Sequence, residues 1–64
     1  MREQMLAYLQ SMMDEFKRRE EKFGLDNVYT EDLLTQMIGC KEMVETLIGE
    51  PVNLRKDGKV TVGF

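Results

Sequence analysis

The sequence predicts an α+β fold: a two-helix antiparallel hairpin followed by a C-terminal β-hairpin, within one small domain over residues 1–64. Two stretches carry apolar residues at helical spacing, and the second ends at a glycine with a proline just beyond. The remaining stretch alternates apolar and polar residues around an Asp-Gly pair, which is typical of a β-hairpin. The predicted elements are a helix over about 2–23, a second helix over about 31–48 and the β-hairpin over about 52–64.

The first helix is predicted from an apolar stripe whose members recur mostly at intervals of three and four residues. The stripe consists of Met5, Leu9, Met12, Phe16 and Phe23, and is widened by Leu6 and Met13. At about 1.5 Å per residue this helix would be roughly 33 Å long. Gly24 follows it, and we expect this glycine to end the helix in a left-handed conformation.

A short connection over 25–29 is predicted next, because Asp26-Asn27 is a turn signal. We expect Leu25, Val28 and Tyr29 in this connection to fold back over the core. Thr30 is predicted as the N-cap of the second helix, since a threonine hydroxyl can accept a hydrogen bond from a first-turn amide.

The second helix is predicted to end at Gly49, with Pro51 just beyond it. Its apolar face consists of Leu33, Leu34, Met37, Ile38, Val44, Leu47 and Ile48. Gly39 inside this helix is unfavourable by about 1 kcal/mol relative to alanine. We therefore expect a notch of small residues there that allows the close approach of another backbone.

The length of the β-hairpin loop is predicted from the way each loop distributes apolar and polar residues over the two faces of the strands. A two-residue turn at 57–58 would pair Leu54 with Thr61 and mix apolar with polar residues on both faces. A three-residue loop over 56–58 places Gly58 in a left-handed position. That register gathers the apolar residues on one face: Val52, Leu54, Val60, Val62 and Phe64. We predict the three-residue loop.

Composition excludes several classes of site. The chain has no histidine and one cysteine, Cys40, which argues against a disulfide, a zinc site and histidine-dependent catalysis. We expect Cys40 to be a buried small residue at the helix crossing, and we predict no cofactor and no metal. We predict that the protein is not an enzyme. A carboxylate-dependent enzyme with a site between subunits is the weakest alternative.

The sequence also bears on location. No apolar run approaches the roughly 20 residues that span a bilayer, and the first residues lack the continuous apolar segment of a signal peptide. Together with the single cysteine, this favours the cytoplasm and no association with a membrane.

The basic residues suggest an alternative function. The net charge is −3, which is unusual for a general nucleic-acid binder. Arg55, Lys56 and Lys59 at the predicted hairpin tip could nevertheless contact phosphates. The run Lys17-Arg18-Arg19 is followed by acids, and such mixed charge is typical of a solvated helix face. A nucleic-acid-associated regulator is therefore the alternative, not the preferred interpretation.

Self-association is the preferred interpretation. A domain near 60 residues buries only about 60% of its unfolded surface, and a partner subunit commonly supplements such a small core. Two long helices and one small hairpin cannot enclose all the apolar helix surface. The sequence thus predicts a non-enzymatic protein–protein interaction or regulatory module, a homodimer that binds another protein through an apolar helix face or the hairpin edge. The interface candidates are Met5, Leu9, Met12, Met13, Phe16 and Phe23.

Overall fold

A computed structural model describes residues 1–63 of the chain. It contains two helices, α1 (Arg2–Phe23) and α2 (Val28–Ile48), followed by two strands, β1 (Val52–Leu54) and β2 (Val60–Val62). The strands pair antiparallel in a two-stranded sheet, which confirms the predicted α+β arrangement. The longest dimension is 34 Å, close to the length expected for α1.

The core lies between the two helices and the β-hairpin. Each helix contributes its central apolar stripe, and β1 contributes its first residue. The buried apolar residues are Leu9, Met13, Phe16, Leu33, Met37, Val44 and Val52. Cys40 is half-buried beside this cluster, so it is less enclosed than the sequence predicts.

The start of α2 differs from the prediction, which placed it near residue 31 with Thr30 as the N-cap. The N-cap is Asn27, whose side-chain oxygen accepts a hydrogen bond from the backbone N–H of Tyr29 (2.9 Å). Asparagine at this position satisfies a first-turn amide as well as threonine would. Thr30 lies inside the helix and is fully buried in the core. The prediction of the start of α2 was therefore wrong by one turn.

The segment that joins the helices is also more exposed than predicted. Leu25, Val28 and Tyr29 were expected to cover the core, but they are 56%, 75% and 55% exposed. Gly24 ends α1 as expected, yet its φ of 82° is combined with an extended ψ of 167°, so it does not adopt the left-handed helical cap. These apolar side chains consequently lie on the surface at this end of the molecule.

The β-hairpin has the predicted register. Val52 pairs with Val62 and Leu54 with Val60, which leaves a three-residue loop over 56–58. Gly58 has a φ of 90°, in the region that favours glycine. The predicted contribution of Phe64 to the apolar face lies outside the described residues.

Candidate functional site

The β-hairpin covers one side of the helical pair, and Gln10 of α1 links the two through hydrogen bonds. Its side-chain Nε2 donates to the carbonyl oxygen of Gly58 (2.8 Å), and its Oε1 accepts from the backbone N–H of Val60 (2.9 Å). Farther along α1, the ammonium group of Lys17 donates to the carbonyl oxygen of Lys56 (2.7 Å). Two side chains of α1 thus hold the hairpin loop and the start of β2.

The outer edge of β1 is held by α2. The carboxylate Oε2 of Glu45 accepts a hydrogen bond from the backbone N–H of Val52 (2.7 Å), and its Oε1 pairs with the ammonium of Lys41 (3.1 Å). These contacts, the Val52 N–H first and Lys41 second, lower the pKa of Glu45 below its ordinary value. With the N–H of Val60 also taken by Gln10, each strand offers a partner strand fewer free groups, which disfavours docking along the hairpin edge.

Within residues 1–63, the opposite side of the helical pair has no such cover. Leu9 points into the core, and the 100° step of a helix places Tyr8 and Gln10 on opposite flanks of it. Gln10 meets the hairpin, whereas Tyr8 is 61% exposed. We define the open face as this uncovered surface; it consists of Met1 at the N-cap of α1, Met5 and Tyr8 on α1, and Cys40, Met43 and Leu47 on α2.

The open face is apolar and slightly concave. Five of its residues, with Gln4 and Val44, line a shallow cavity of about 240 Å³, and no Asp, Glu, Lys or Arg is among these lining residues. Met43 is 58% exposed, and Leu47, one helical turn farther on, is 63% exposed. An apolar surface of this kind, without charge at its centre, is typical of protein interaction sites.

The six predicted interface residues fall into three groups. Leu9, Met13 and Phe16 belong to the chain's own core, so their side chains are already covered within one chain. Met5 and Met12 are half-buried beside that core. Phe23 is exposed, but it lies near the other end of α1. The interface itself stays a prediction, and Met5 is the one predicted residue that the structure places on the open face.

Sequence reasoning missed most of the open face, although a signal was present. Tyr8 lies three residues after Met5 and four before Met12, so it extends the apolar stripe to one side. On α2, Met43 and Leu47 show the same four-residue spacing. The predicted helices had more apolar width than one core can use, but the sequence does not show which flank remains uncovered.

The hairpin tip carries the three predicted phosphate contacts. Arg55, Lys56 and Lys59 are exposed there. Arg55 pairs with Asp57 (Nε–Oδ2, 3.4 Å), and the carboxylate of Asp57 also accepts from the backbone N–H of Lys59 (3.0 Å). This backbone hydrogen bond, more than the nearby cations, lowers the pKa of Asp57. The tip is therefore partly neutralised by its own carboxylate, and its role in binding phosphate stays a prediction.

A second group of charged side chains lies near the junction of α1 and α2. The guanidinium of Arg19 lies 3.7 Å from the ring centroid of Tyr29, and the ring of Phe23 meets that of Tyr29 edge-on, with centroids 5.9 Å apart. We define the cation–aromatic cluster as the residues that line a cavity of about 340 Å³ here: Glu15, Arg18, Arg19, Lys22, Phe23 and Tyr29. The sequence separates Phe23 from Tyr29 by a turn, so their contact depends on the fold.

A groove of about 450 Å³ lies where the hairpin tip meets the helices. Phe16, Met37 and Leu54 contribute to its apolar wall, and Lys17 and Lys56 line it as well. Phe16 and Met37 are members of the chain's own core. This groove is therefore mainly the seam between the hairpin and the helices.

Two further observations concern the kind of site the chain can hold. Within residues 1–63, no three residues of the metal-ligating types His, Cys, Asp and Glu come together in a group that could hold a metal ion. In the same residues, no helix has both the length and the apolar character needed to cross a membrane.

Comparison with known proteins gives no match: neither a family model, nor a curated protein, nor a solved structure is similar to this chain.

Proposed function

We propose that the chain is a non-enzymatic interaction module of the cytoplasm that self-associates as a homodimer through its open face. The observation that carries this proposal is the uncovered apolar flank of the helical pair. Tyr8, Met43 and Leu47 are each more than half exposed there, although all three are large apolar side chains. Removing such surface from water is favourable by about 25 cal/mol per Å².

A second copy of the chain suits this surface for two reasons. In a two-fold symmetric dimer the same patch meets itself, so any charge near the axis would face a like charge. The cavity at the centre of the open face is lined by uncharged side chains, so no two like side-chain charges would meet there. The accessible surface of the chain is 4640 Å², so a typical interface of about 800 Å² per partner would cover about a sixth of it.

The state of the other surfaces supports the same choice. One outward N–H group of each strand, on Val52 and Val60, is occupied by a helix side chain. The β-hairpin also occupies the other flank of the helical pair through Gln10. The open face is therefore better suited to a partner than the hairpin edges or the covered flank.

The test is the solution mass of the full chain, measured by light scattering from micromolar to millimolar concentration. We expect a concentration-dependent dimer for the unchanged chain. Met43→Lys places a charge in the open face and is expected to shift the equilibrium towards monomer. Circular dichroism should remain unchanged, because Met43 is 58% exposed and contributes little to the core.

A matched control is Ile38→Lys, which adds the same charge to the same helix. Ile38 is 44% exposed, and five residues of helix place it about 140° around the axis from Met43. We expect this variant to dimerise like the unchanged chain. An unchanged chain that is monomeric at every concentration would contradict the proposal. Equal dissociation of both lysine variants would also contradict it.

A further inference from the structure

The cation–aromatic cluster combines positive charge with exposed aromatic rings. Arg18 and Lys22 lie one turn apart on α1, with their Cβ atoms about 6 Å apart by helix geometry. Phe23 is 45% exposed, and Tyr29 is 55% exposed although Arg19 lies over its ring. A cation also lies over the Phe23 ring, since the ammonium nitrogen of Lys22 is 5.4 Å from the ring centroid.

We propose that this cluster binds a ligand in which an aromatic base is joined to a phosphate, as in a nucleotide or a single-stranded nucleic acid. The cations attract the phosphate, and the rings of Phe23 and Tyr29 offer surfaces on which a base stacks. The cavity of about 340 Å³ falls within the range of about 300–1,000 Å³ typical of small-ligand sites. This inference concerns different residues from the open face and does not depend on self-association.

The charge balance of the cluster favours an anion. Three cations, Arg18, Arg19 and Lys22, line the cavity with one carboxylate, that of Glu15. Glu15 hydrogen-bonds to both guanidinium groups, which lowers its pKa, with the bond from Arg18 as the larger cause. One carboxylate cannot neutralise three cations, so the lining retains a net positive charge.

The guanidinium of Arg19 is positioned by its neighbours. Its Nε donates to Glu15 (3.2 Å), and its Nη1 donates to the backbone oxygen of Tyr29 (3.1 Å). Arg19 thus fixes the Tyr29 ring against α1, and its side chain is 19% exposed. Arg18 is different, because its side chain is 71% exposed and its guanidinium has donors beyond those that meet Glu15. Arg18 and Lys22 are therefore the groups that meet the phosphate.

A ligand with an aromatic base joined to a phosphate is favoured over an acidic peptide because the two rings adjoin the cations. An acidic side chain would use the charges, but it would leave the rings of Phe23 and Tyr29 exposed. A nucleotide uses both features at once, and stacking of this kind tolerates any base. The hairpin tip differs from the cluster, since Phe16, which lines a groove with Arg55 and Lys56, is buried in the core and offers no exposed ring.

The experiment is a titration of the full chain followed by NMR, with the ring signals of Tyr29 and Phe23 as the readout. The probes are adenosine monophosphate, inorganic phosphate, a short single-stranded DNA and the corresponding duplex, at low and at physiological ionic strength. We expect shifts of both rings with adenosine monophosphate and with the single strand, and weaker binding of inorganic phosphate. A single strand that binds no tighter than the monophosphate identifies a nucleotide site, and a tighter single strand identifies a nucleic-acid site.

Variants separate the cluster from general attraction of anions. Lys22→Ala and Arg18→Ala are each expected to weaken binding about tenfold and to reduce the salt dependence by about one ion. Tyr29→Leu is expected to weaken the binding of adenosine monophosphate about tenfold, while the binding of inorganic phosphate changes little. Arg2→Ala removes the same charge from the other end of α1 and is expected to bind like the unchanged chain.

Glu15→Gln gives a result of opposite sign. Removing this carboxylate raises the positive charge of the cluster, so we expect phosphate-bearing ligands to bind several-fold more tightly. A role of Glu15 limited to holding the two arginines would give weaker binding instead, and would contradict the proposed charge balance. Unshifted rings with every probe at low salt, equal binding of duplex and single strand, or an equal loss in Lys56→Ala at the hairpin tip would each overturn the proposal.

Discussion

The two flanks of the helical pair differ in whether the β-hairpin covers them. On the covered flank, Gln10 and Glu45 hydrogen-bond to the backbone of the β-hairpin, although two three-residue strands would be marginal alone. On the open face, Tyr8 and Met43 have comparable positions along the helices, but they remain exposed. Within residues 1–63 the hairpin thus covers only one flank, where Val52 packs into the core and polar side chains of both helices hydrogen-bond to the hairpin backbone.

The largest expected effect is on the free energy of unfolding. It compares a core position, Leu9, with the adjacent open-face position, Tyr8. Leu9 is fully buried, so Leu9→Ala should lower the free energy of unfolding by about 2–5 kcal/mol through lost burial and a cavity. A chain of this length is expected to have a total stability of roughly 3–10 kcal/mol, so this variant loses a large share of it. Urea denaturation at low protein concentration measures it.

Tyr8→Ala is the control for that comparison. Tyr8 is 61% exposed, and we expect its removal to change the stability of the monomer by no more than about 0.5 kcal/mol. If Tyr8→Ala destabilised the monomer as much as Leu9→Ala, the two flanks would not differ in the way described.

The next effect tests how the hairpin is held. Gln10→Ala leaves the carbonyl oxygen of Gly58 and the N–H of Val60 without their side-chain partner, and should cost about 1–3 kcal/mol. Hydrogen exchange of the Val60 amide should also become faster. Gln4→Ala removes the same side chain from the open flank of α1 and is expected to change neither quantity measurably. Equal effects of the two substitutions would contradict the proposed link between α1 and the hairpin.

A smaller effect depends on pH and isolates Glu45. Because the folded state lowers the pKa of Glu45, its contribution to stability is present above the unfolded value of about 4.5 and is lost as the pH falls below it. Glu45→Gln should therefore be less stable than the unchanged chain at neutral pH and should approach it at acid pH. Thermal unfolding as a function of pH measures the difference.

Glu15 and Asp57 also have lowered pKa values, so the unchanged chain will lose stability in acid from several groups. Comparison with Glu45→Gln removes their shared contribution. Glu42→Gln, an exposed change on the same helix, serves as the control. A constant difference between Glu45→Gln and the unchanged chain at every pH would mean that the Glu45 charge does not hold β1.

The smallest expected effect concerns Gly39, an exposed residue in the interior of α2. Apart from its own helix and immediate neighbours, a Cβ added there would meet no atom within 4 Å. Gly39→Ala should therefore stabilise the chain by about 0.5–1 kcal/mol through backbone entropy, which corresponds to a rise of a few degrees in Tm. A lower Tm would show that the small residue has a packing role, as the predicted notch requires.

Local chemistry was sufficient to predict several elements. The apolar spacing and Gly24 gave both ends of α1, and Gly49 marked the end of α2. The register of the hairpin followed from alternation alone, because a slip of one residue would have reversed the faces of Leu54 and Val60. These features depend on neighbours in the chain, and a single sequence contains them in full.

Other features depended on competition between similar local signals. Asn27 and Thr30 are both good N-caps; Asn27 caps α2, whereas Thr30 is fully buried inside the helix, where its hydroxyl oxygen has no hydrogen-bond partner among residues 1–63. Because α2 begins one turn earlier than predicted, Tyr29 lies in its first turn, within reach of Arg19 and Phe23. The cation–aromatic cluster was not predicted for this reason.

The sequence by itself determined the fold class, most element boundaries, the register of the hairpin and an excess of apolar helix surface. Tertiary structure alone decided which flank the β-hairpin covers, where Gln10 and Glu45 hydrogen-bond to it. It thereby also decided that Tyr8 and Met43 lie on the open face. The physical reason is that helix and strand periodicity are fixed by residues close in the chain. The hydrogen bond from Gln10 to Gly58 instead joins residues 48 positions apart, and the packing of the whole chain selects it.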